Sequence, residues 1–266
     1  MKNIDINECH NILLKIATAF DSICRKHQIP YYMLGGTMLG AIRHKGFIPW
    51  DDDMDFGVER KYFPKLIKIL SEELPVDFKI RTSHNSNNFF SNFIKIEDTR
   101  TEVFDCWHDN AIDIGICIDI FPLDNGRKSL FQTQLFVSYI FFLLQIKDYL
   151  YFNPKYRHGI KKYVAIILRK TNFIPIKNRL RYVENLINKY TEEKSAYLIN
   201  YYGRYQKKEI VSKKIFGKPT NYEFEKIMLK GVENPDIFLS DLYGNNYMQL
   251  PPKEKQEKHS NIMRYK

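Results

Sequence analysis

Four aspartates within five residues constrain this chain more than any other feature of its sequence. They stand in the run Trp50-Asp51-Asp52-Asp53-Met54-Asp55, directly after Pro49. Carboxylates this close together disfavour joint ionisation unless a positive charge lies among them. A bound divalent metal ion commonly supplies that charge in proteins, so the run predicts a metal site.

The residues from Asp53 onward alternate between acidic and apolar side chains, which is typical of a strand. Asp51, Asp53 and Asp55 then share one face. The apolar side chains between Met54 and Val58 share the other face, and Asp52 points away from the three acids. Because oxygen atoms are the only ligands offered, the pattern favours Mg²⁺ or Mn²⁺ over zinc.

Two other interpretations of the acidic run compete with a metal site. An EF-hand loop begins with the same aspartate spacing, but its glycine and its glutamate would fall at Phe56 and Tyr62, which excludes it. A solvated acidic turn after Pro49 stays open from the run alone.

A Gly-Gly-Thr turn precedes the acidic run. Gly35-Gly36-Thr37 follows the apolar residues 31–34 and precedes the apolar-rich residues 38–42, which predicts a strand, a tight turn and a helix start. Backbone N–H groups at such a turn can approach a phosphate, and the helix dipole favours the anion. The turn matches neither the P-loop pattern nor G-x-G-x-x-G. We predict that Gly35, Gly36 and Thr37 bind phosphate. Arg43 and Lys45 are candidate counter-charges, and surface charges or partners for the aspartates are equally open roles for them.

The segment GGTMLGAIRHKGFIPWDDDMDFG, residues 35–57, resembles the signature of the LicD family, bacterial phosphocholine transferases related to the fukutin proteins within the nucleotidyltransferase superfamily. Shorter segments extend the resemblance: Glu97–Thr101, Ile118–Asp124, Tyr243-Gly244, Tyr247-Met248 and Leu250–Pro252. Together with the patterns along the chain, it implies an α+β fold with a nucleotidyltransferase-like mixed sheet, flanking helices and a C-terminal helical subdomain. We expect the catalytic core over residues 1–125 and the basic, mainly helical subdomain over residues 126–266.

Asp119 stands between apolar residues in the strand predicted over residues 112–121, which also contains Asp113. A buried acid needs a partner. One option is a salt bridge to an arginine such as Arg100. The other, which the resemblance also implies, makes Asp119 a third carboxylate from a neighbouring strand. Asp51, Asp53, Asp55 and Asp119 would then bind the metal, with Asp119 also acting as general base.

Hydrophobic periodicity predicts the remaining elements. Helices are expected over residues 5–28, 60–73, 179–202 and 221–230, and strands over residues 78–82, 89–97, 102–104 and 112–121. His10 and His27 lie on the first helix, and we expect them to be satisfied structural residues rather than ligands. Cys9, Cys24, Cys106 and Cys117 form no C-x-x-C pair, and no signal peptide opens the chain, so we expect structural thiols and a cytoplasmic location.

Charge is distributed unevenly along the chain. Residues 1–150 carry a net charge of −3, whereas residues 151–266 carry +13. Residues 129–146 contain no charged side chain, and residues 149–183 contain nine Lys and Arg but no acid. This mixture predicts peripheral contact of residues 129–183 with the cytoplasmic face of an anionic membrane. A solvated basic face is the alternative.

The resemblance implies that the enzyme transfers phosphocholine from CDP-choline to a hydroxyl of a free or lipid-linked cell-surface glycan and releases CMP. The same chemistry with another CDP-activated alcohol, such as ribitol or glycerol, stays open. The basic half suggests a nucleotidyltransferase acting on nucleic acid, but no recognised RNA-binding module supports it. A non-catalytic relative would lack part of the carboxylate set, which is complete here.

Overall fold

The computed structural model describes residues 2–86, 89–104, 114–151, 153–191, 194–256 and 262–266. The helices and strands of this part of the chain are, in order, α1 (Ile6–Lys26), β1 (Tyr32–Met33), α2 (Gly35–Arg43), β2 (Asp55–Glu59), α3 (Phe63–Glu73), β3 (Phe78–Arg81), β4 (Ile94–Asp98), β5 (Thr101–Phe104), β6 (Cys117–Asn125), α4 (Leu130–Tyr151), α5 (Ile160–Thr171), α6 (Ile176–Tyr190), β7 (Tyr197–Ile199), β8 (Ile210–Ser212), α7 (Lys213–Phe216), β9 (Thr220–Phe224), β10 (Ile227–Gly231), α8 (Pro235–Tyr243) and β11 (Ile262–Tyr265).

A seven-stranded mixed sheet organises these elements. Five strands run in the order β1-β2-β6-β4-β3, and β7 and β8 extend the sheet from the C-terminal end of β6. The central pair, β2 and β6, is parallel, and the other neighbours are antiparallel. The sheet and its flanking helices confirm the predicted α+β class.

Helix α1 covers the sheet with an apolar face. Cys9, Leu13, Ile16 and Phe20 are fully buried on that face, at the helical spacing visible in the sequence. The Asp5 side chain caps the helix by accepting a hydrogen bond from the backbone N–H of Glu8. This confirms the first predicted helix.

Two helix predictions in the C-terminal third are wrong. Residues 221–230 form the β9–β10 hairpin, with Glu225 in its turn at a φ of 54°. Its side chains follow a period of two, so that Leu229 is buried while Met228 is exposed. Short apolar runs of this kind do not distinguish a strand from a helix. The helix predicted over residues 179–202 ends at Tyr190, and β7 follows.

Strand boundaries also differ from the prediction. Strand β4 begins at Ile94 rather than at residue 89, and β6 runs from Cys117 to Asn125. Residues 112 and 113, at the predicted start of β6, lie outside the described residues, as does Cys106. Cys9, Cys24 and Cys117 carry free thiols.

Helices α4, α5 and α6, which we call the helical arm, build a second, smaller core. Phe136, Val137, Ile140 and Leu144 of α4 are buried there against residues of α6 and β7. By length and composition, α4 is the one helix in the described residues that could cross a membrane, and 17% of its most apolar stretch is buried. Later elements return to the main sheet, where β7 pairs with β6 and α8 packs in the main core. The predicted boundary at residue 125 stays a prediction.

Candidate active site

Three neighbouring strands place three charged side chains side by side. In the parallel β2–β6 pair, Asp55 stands opposite Asp119. In the antiparallel β4–β6 pair, Lys95 stands opposite Asp119. The Lys95 Nζ atom lies 2.5 Å from Asp119 Oδ1. The sheet register thus joins Asp55, Asp119 and Lys95 into one charged row, which we call the charged rung.

Lys95 is the partner that Asp119 required. The predicted alternative, a salt bridge from Arg100 to Asp119, is wrong. The Arg100 guanidinium donates hydrogen bonds to Asp98 and Asp77 instead. Sequence spacing could not find Lys95, because the pairing of β4 with β6 depends on register.

The acidic run ahead of β2 is held by its backbone. His10 Nε2 lies 2.6 Å from the carbonyl oxygen of Asp51, which can only accept, so this nitrogen carries the proton. The Cys9 thiol donates to the carbonyl of Asp52. Thr37 Oγ1 accepts a hydrogen bond of 2.8 Å from the backbone N–H of Asp55. His10 is therefore a structural residue, as predicted, and it fixes the path of the acidic loop.

A cavity of about 970 Å³ opens above the charged rung. Asp51, Asp53, Asp55 and Asp119 line it, whereas Asp52 does not. Strand β2 begins at Asp55, so Asp51 and Asp53 reach the cavity from the preceding loop rather than from the strand itself. The predicted grouping of three acids on one side, with Asp52 turned away, agrees with this lining.

The pKa of the Asp55 carboxyl is raised well above its ordinary value. Burial is the largest cause, followed by the neighbouring carboxylates of Asp53 and Asp119, while Lys95 partly opposes the rise. Burial by itself lowers the pKa of Lys95, but Asp119, Cys117 and Asp55 outweigh it and raise that pKa overall. Lys95 is therefore charged at neutral pH, and its one charge does not offset the carboxylates around it.

The donor set fits a hard divalent cation by its chemistry. Four aspartates line the cavity, and carboxylate oxygens are the ligands that such cations prefer. After burial, the carboxylates of Asp53 and Asp119 raise the pKa of Asp55, and Lys95 only partly opposes them. Within the described ranges, no three His, Cys, Asp or Glu side chains already converge as a ligand cluster. To hold an ion, the carboxylates of Asp51, Asp53 and Asp55 would have to turn toward one point. Asp119 would lie beside them, paired with Lys95.

The two glycines at the start of α2 line the same cavity. Gly35 has a φ of +47°, a conformation that glycine adopts without strain. A Cβ atom on Gly36 would lie 2.6 Å from Asp51 Oδ2, so a side chain at this position would displace the Asp51 carboxylate. The carboxylate of Asp51 thus lies at the helix N-terminus where a phosphate was predicted.

The other three predicted phosphate ligands differ in position. Thr37 is buried, does not line the cavity and holds the backbone of Asp55. Lys45 is exposed in the turn after α2 and also lies outside the cavity lining. Arg43 does line it, and its guanidinium donates hydrogen bonds to the carbonyls of Tyr247 (2.9 Å) and Gln249 (3.3 Å). Burial lowers the pKa of Arg43, although Tyr243 opposes the shift.

The cavity lining also contains residues that the sequence did not indicate. Residues 200–209 contribute six of them, Asn200, Tyr202, Gly203, Arg204, Tyr205 and Glu209. Burial raises the pKa of Glu209 to about 7, and the backbone N–H of Tyr205, which donates to its carboxylate, partly opposes the rise. A carboxyl group with this pKa in a cavity is a candidate acid or base. No motif marks the segment in the sequence.

Comparison with known proteins gives three findings. The nucleotidyltransferase domain of the LicD/FKTN/FKRP family matches residues 28–139. The lipopolysaccharide cholinephosphotransferase LicD of Haemophilus influenzae is 28% identical over 266 residues, which cover 97% of each chain. An uncharacterised protein of Rickettsia typhi is 38% identical over 60 residues, or 23% of this chain and 19% of its own.

One solved structure is also similar. The antibiotic-resistance factor ANT(2'')-Ia aligns with 68% of this chain and 93% of its own, at 9% sequence identity and a TM-score of 0.28. A TM-score of this size supports no argument about function.

Proposed function

This chain belongs to the LicD/FKTN/FKRP nucleotidyltransferase family, and from that premise we propose that it transfers phosphocholine from CDP-choline to a hydroxyl of a cell-surface glycan, with release of CMP. The family resemblance seen in the sequence is confirmed. The Haemophilus influenzae relative acts on lipopolysaccharide by its name, which makes that glycan the first acceptor to test.

The observation that carries the proposal is the charged rung beneath the cavity. Asp55 and Asp119 stand opposite each other on adjacent parallel strands, and Asp53 and Asp51 join them on the wall. Phosphoryl transfer demands little covalent chemistry of a protein, because positioning and electrostatic stabilisation supply most of the rate. A cavity that gathers carboxylates beside a glycine-lined helix start supports that class of reaction.

Each residue of the site has a role in this scheme. Asp53 and Asp55, with Asp51 assisting, would hold Mg²⁺ or Mn²⁺. When bound, that ion would bring positive charge to the diphosphate and acidify the acceptor hydroxyl. Asp119, held in place by Lys95, would take the hydroxyl proton as general base. Once the Asp51 carboxylate turns to the ion, the backbone at Gly35 and Gly36 would be open to a donor phosphate.

The helical arm supports a membrane-bound acceptor, and we propose that it docks on anionic lipid at the cytoplasmic face. Thirteen of the nineteen large apolar side chains exposed in the described residues lie between residues 130 and 190. On α5, Ile160, Tyr163 and Ile167 are 60% to 79% exposed, with Lys161 and Lys162 exposed among them. Monomeric proteins rarely expose apolar surface of this extent, and cations beside it suit a lipid interface.

Release of CMP tests the proposed reaction directly. The purified full chain is incubated with CDP-choline, CDP-ribitol or CDP-glycerol, each with and without lipopolysaccharide, a lipid-linked glycan or a free glycan, in Mg²⁺ and in EDTA. The proposal expects CMP only with an acceptor and a divalent ion, and fastest from CDP-choline. Preference for another donor would change the transferred alcohol. No CMP from any donor, or incorporation of nucleotide into RNA, would refute the proposal.

A further inference from the structure

The cavity above the charged rung has an aromatic wall that the reaction scheme leaves without a role. Trp50, Tyr202, Tyr205, Tyr243 and Tyr247 all line it. We group three of these, Trp50, Tyr205 and Tyr243, as the aromatic corner, because the two tyrosines contact each other and Trp50 lines the same cavity directly before Asp51. All three are half-buried, so part of each ring is available to a ligand.

Two rings of the corner stand nearly perpendicular. The centroids of Tyr205 and Tyr243 are 5.4 Å apart, with an angle of 79° between the ring planes. A perpendicular pair presents the π face of one ring next to the edge of the other. Tyr243 is therefore held by a neighbour rather than free to rotate away from the cavity.

The corner lies next to the acids. Tyr243 Oη and Asp55 Oδ2 lie 3.8 Å and 3.4 Å from the same point, the position of a Cβ atom added to Gly35. Trp50 directly precedes Asp51 in the chain. The tyrosine hydroxyl, the glycine-lined helix start and the charged rung therefore meet at one end of the cavity.

The charge at this end suits a cation. Aromatic faces carry negative potential and attract cations, and the carboxylates of Asp51 and Asp55 add to that potential. Burial, the neighbouring Tyr205 and these two aspartates raise the pKa of Tyr243, so its ring is neutral. Arg43, which also lines the cavity, directs its guanidinium to backbone carbonyls at 2.9 and 3.3 Å.

We propose that the aromatic corner binds the quaternary ammonium group of the donor substrate and so selects choline over other alcohols. A quaternary ammonium has no N–H group to satisfy, so it can leave water for an aromatic surface without losing a hydrogen bond. Two carbons separate the ammonium from the phosphate, so their binding surfaces must adjoin, as the corner and the helix start do here. The inference rests on the proposed function, because it names the group that the same site recognises.

Direct binding tests the corner without turnover. Calorimetry on the full chain compares phosphocholine with the phosphate ester of 3,3-dimethylbutanol, in which carbon replaces the charged nitrogen and the shape is kept. We expect the wild type to bind phosphocholine roughly tenfold more tightly, the size that cation–π contacts supply. Tyr205→Leu and Tyr243→Leu should each remove most of that preference. Tyr205→Phe and Tyr243→Phe should keep it, because the ring remains.

Matched controls and contrary outcomes define the test. Tyr62→Leu, at a half-buried tyrosine outside the cavity lining, should leave both affinities unchanged. Trp50→Leu must show the same selective loss, which keeps the test valid if a tyrosine variant fails to fold. Equal weakening of both ligands together with CMP would mean that the corner stacks the cytosine ring, and would overturn the inference. A wild type without preference between the two esters would overturn it as well.

The same measurements separate the inference from the proposed function. Tight, charge-selective binding of phosphocholine without any CMP release would retain the corner and refute the reaction. Release of CMP from CDP-choline by a protein that binds both esters equally would retain the reaction and refute the corner.

Discussion

The cavity gathers four carboxylates around one end of a sheet and pairs one of them with a half-buried lysine, whereas the helical arm exposes lysines among large apolar side chains. In the cavity, strand register fixes the neighbours of Asp55, Asp119 and Lys95. On the arm, the charges are exposed to water and screened by salt, so each contributes little to binding and several must act together. The cavity should therefore depend on single residues, and the arm on several together.

The largest expected effect is loss of transfer in Asp55→Asn and in Asp53→Asn. An amide oxygen is a poor substitute for a carboxylate at Mg²⁺ and removes negative charge from the cavity. We expect CMP release to fall by about 10³-fold or more, the upper range for one electrostatic contact to the transition state. Steady-state rates with saturating Mg²⁺ measure the loss.

Asp52→Asn is the matched control for these variants, because Asp52 belongs to the same run but does not line the cavity. Its rate should stay close to that of the wild type, and all three variants should melt at similar temperatures. Equal losses in all three would contradict the assignment of the acidic face.

The pattern of the site's local elements could be predicted from the sequence. The glycine turn and the apolar face of α1 are short-range signals, and the structure agrees with both. The period of two around Met54 correctly indicated a strand, but that strand begins at Asp55 rather than at Asp53. The sequence also shows that residues 1–150 carry a net negative charge and residues 151–266 a net positive charge. These features depend on residues close together in the chain, where spacing determines which side chains share a face.

The partners across the site could not be predicted, because they depend on register and on distant contacts. Lys95 and Asp119 are 24 residues apart, and only the β4–β6 pairing brings them together. Arg43 reaches carbonyls about 200 residues away. Glu209 carries no motif, and its raised pKa comes from burial. The hairpin β9–β10 was missed because its apolar run fits both periods.

Lys95→Met tests whether one buried cation stabilises the acidic end of the cavity. The substitution leaves Asp119 and Asp55 without their nearest positive charge. Both side chains of the Lys95–Asp119 pair are 18% exposed, so we expect a loss of about 2 kcal/mol of unfolding free energy, less than for a fully buried pair. Urea denaturation measures the loss. Saturating Mg²⁺ should restore part of it, since an ion that binds the native state stabilises it by mass action.

Lys79→Met is the control, because Lys79 also binds a carboxylate, that of Glu97, but is 46% exposed. Lys79→Met should lower the free energy of unfolding by less than about 1 kcal/mol. Adding Asp119→Asn to Lys95→Met should recover stability by removing the unpaired charge. Similar costs for both lysine variants would show that burial of the rung does not matter.

Charge reversal on α5 tests the arm. Lys161→Glu, Lys162→Glu and Lys170→Glu together should weaken binding to anionic vesicles by about 100-fold, since each cation contributes on the order of 1 kcal/mol near anionic lipid. Arg169 is left intact because it donates hydrogen bonds to the carbonyls of Leu150 and Tyr151 at the end of α4. Co-sedimentation with anionic and neutral vesicles, at low and high salt, measures binding.

The exposed lysines Lys15, Lys68 and Lys226, all changed to Glu, give the same net charge away from the arm. That control should still bind anionic vesicles. Both triple variants should release CMP normally with a soluble acceptor. If reversal on α5 instead impairs transfer to a soluble glycan and leaves vesicle binding unchanged, the arm serves the acceptor rather than the membrane.

Glu209→Gln gives the smallest expected effect and sharpens the contrast between buried and exposed charge. Burial raises the pKa of Glu209 from 4.5 to about 7, so the native state holds this proton more tightly than the unfolded chain does. The resulting stabilisation is complete below pH 4.5 and is lost as pH rises through about 7. With 1.36 kcal/mol per pKa unit, the wild type loses at most about 3 kcal/mol from this group. A neutral amide removes that dependence, so the melting temperature of Glu209→Gln should rise relative to the wild type between pH 5 and pH 8.

Glu72→Gln, at an exposed position on α3, should follow the wild type throughout. Parallel melting curves for all three proteins would show that Glu209 is solvated and ionised like a surface carboxylate, and would remove it as a candidate acid or base in the cavity.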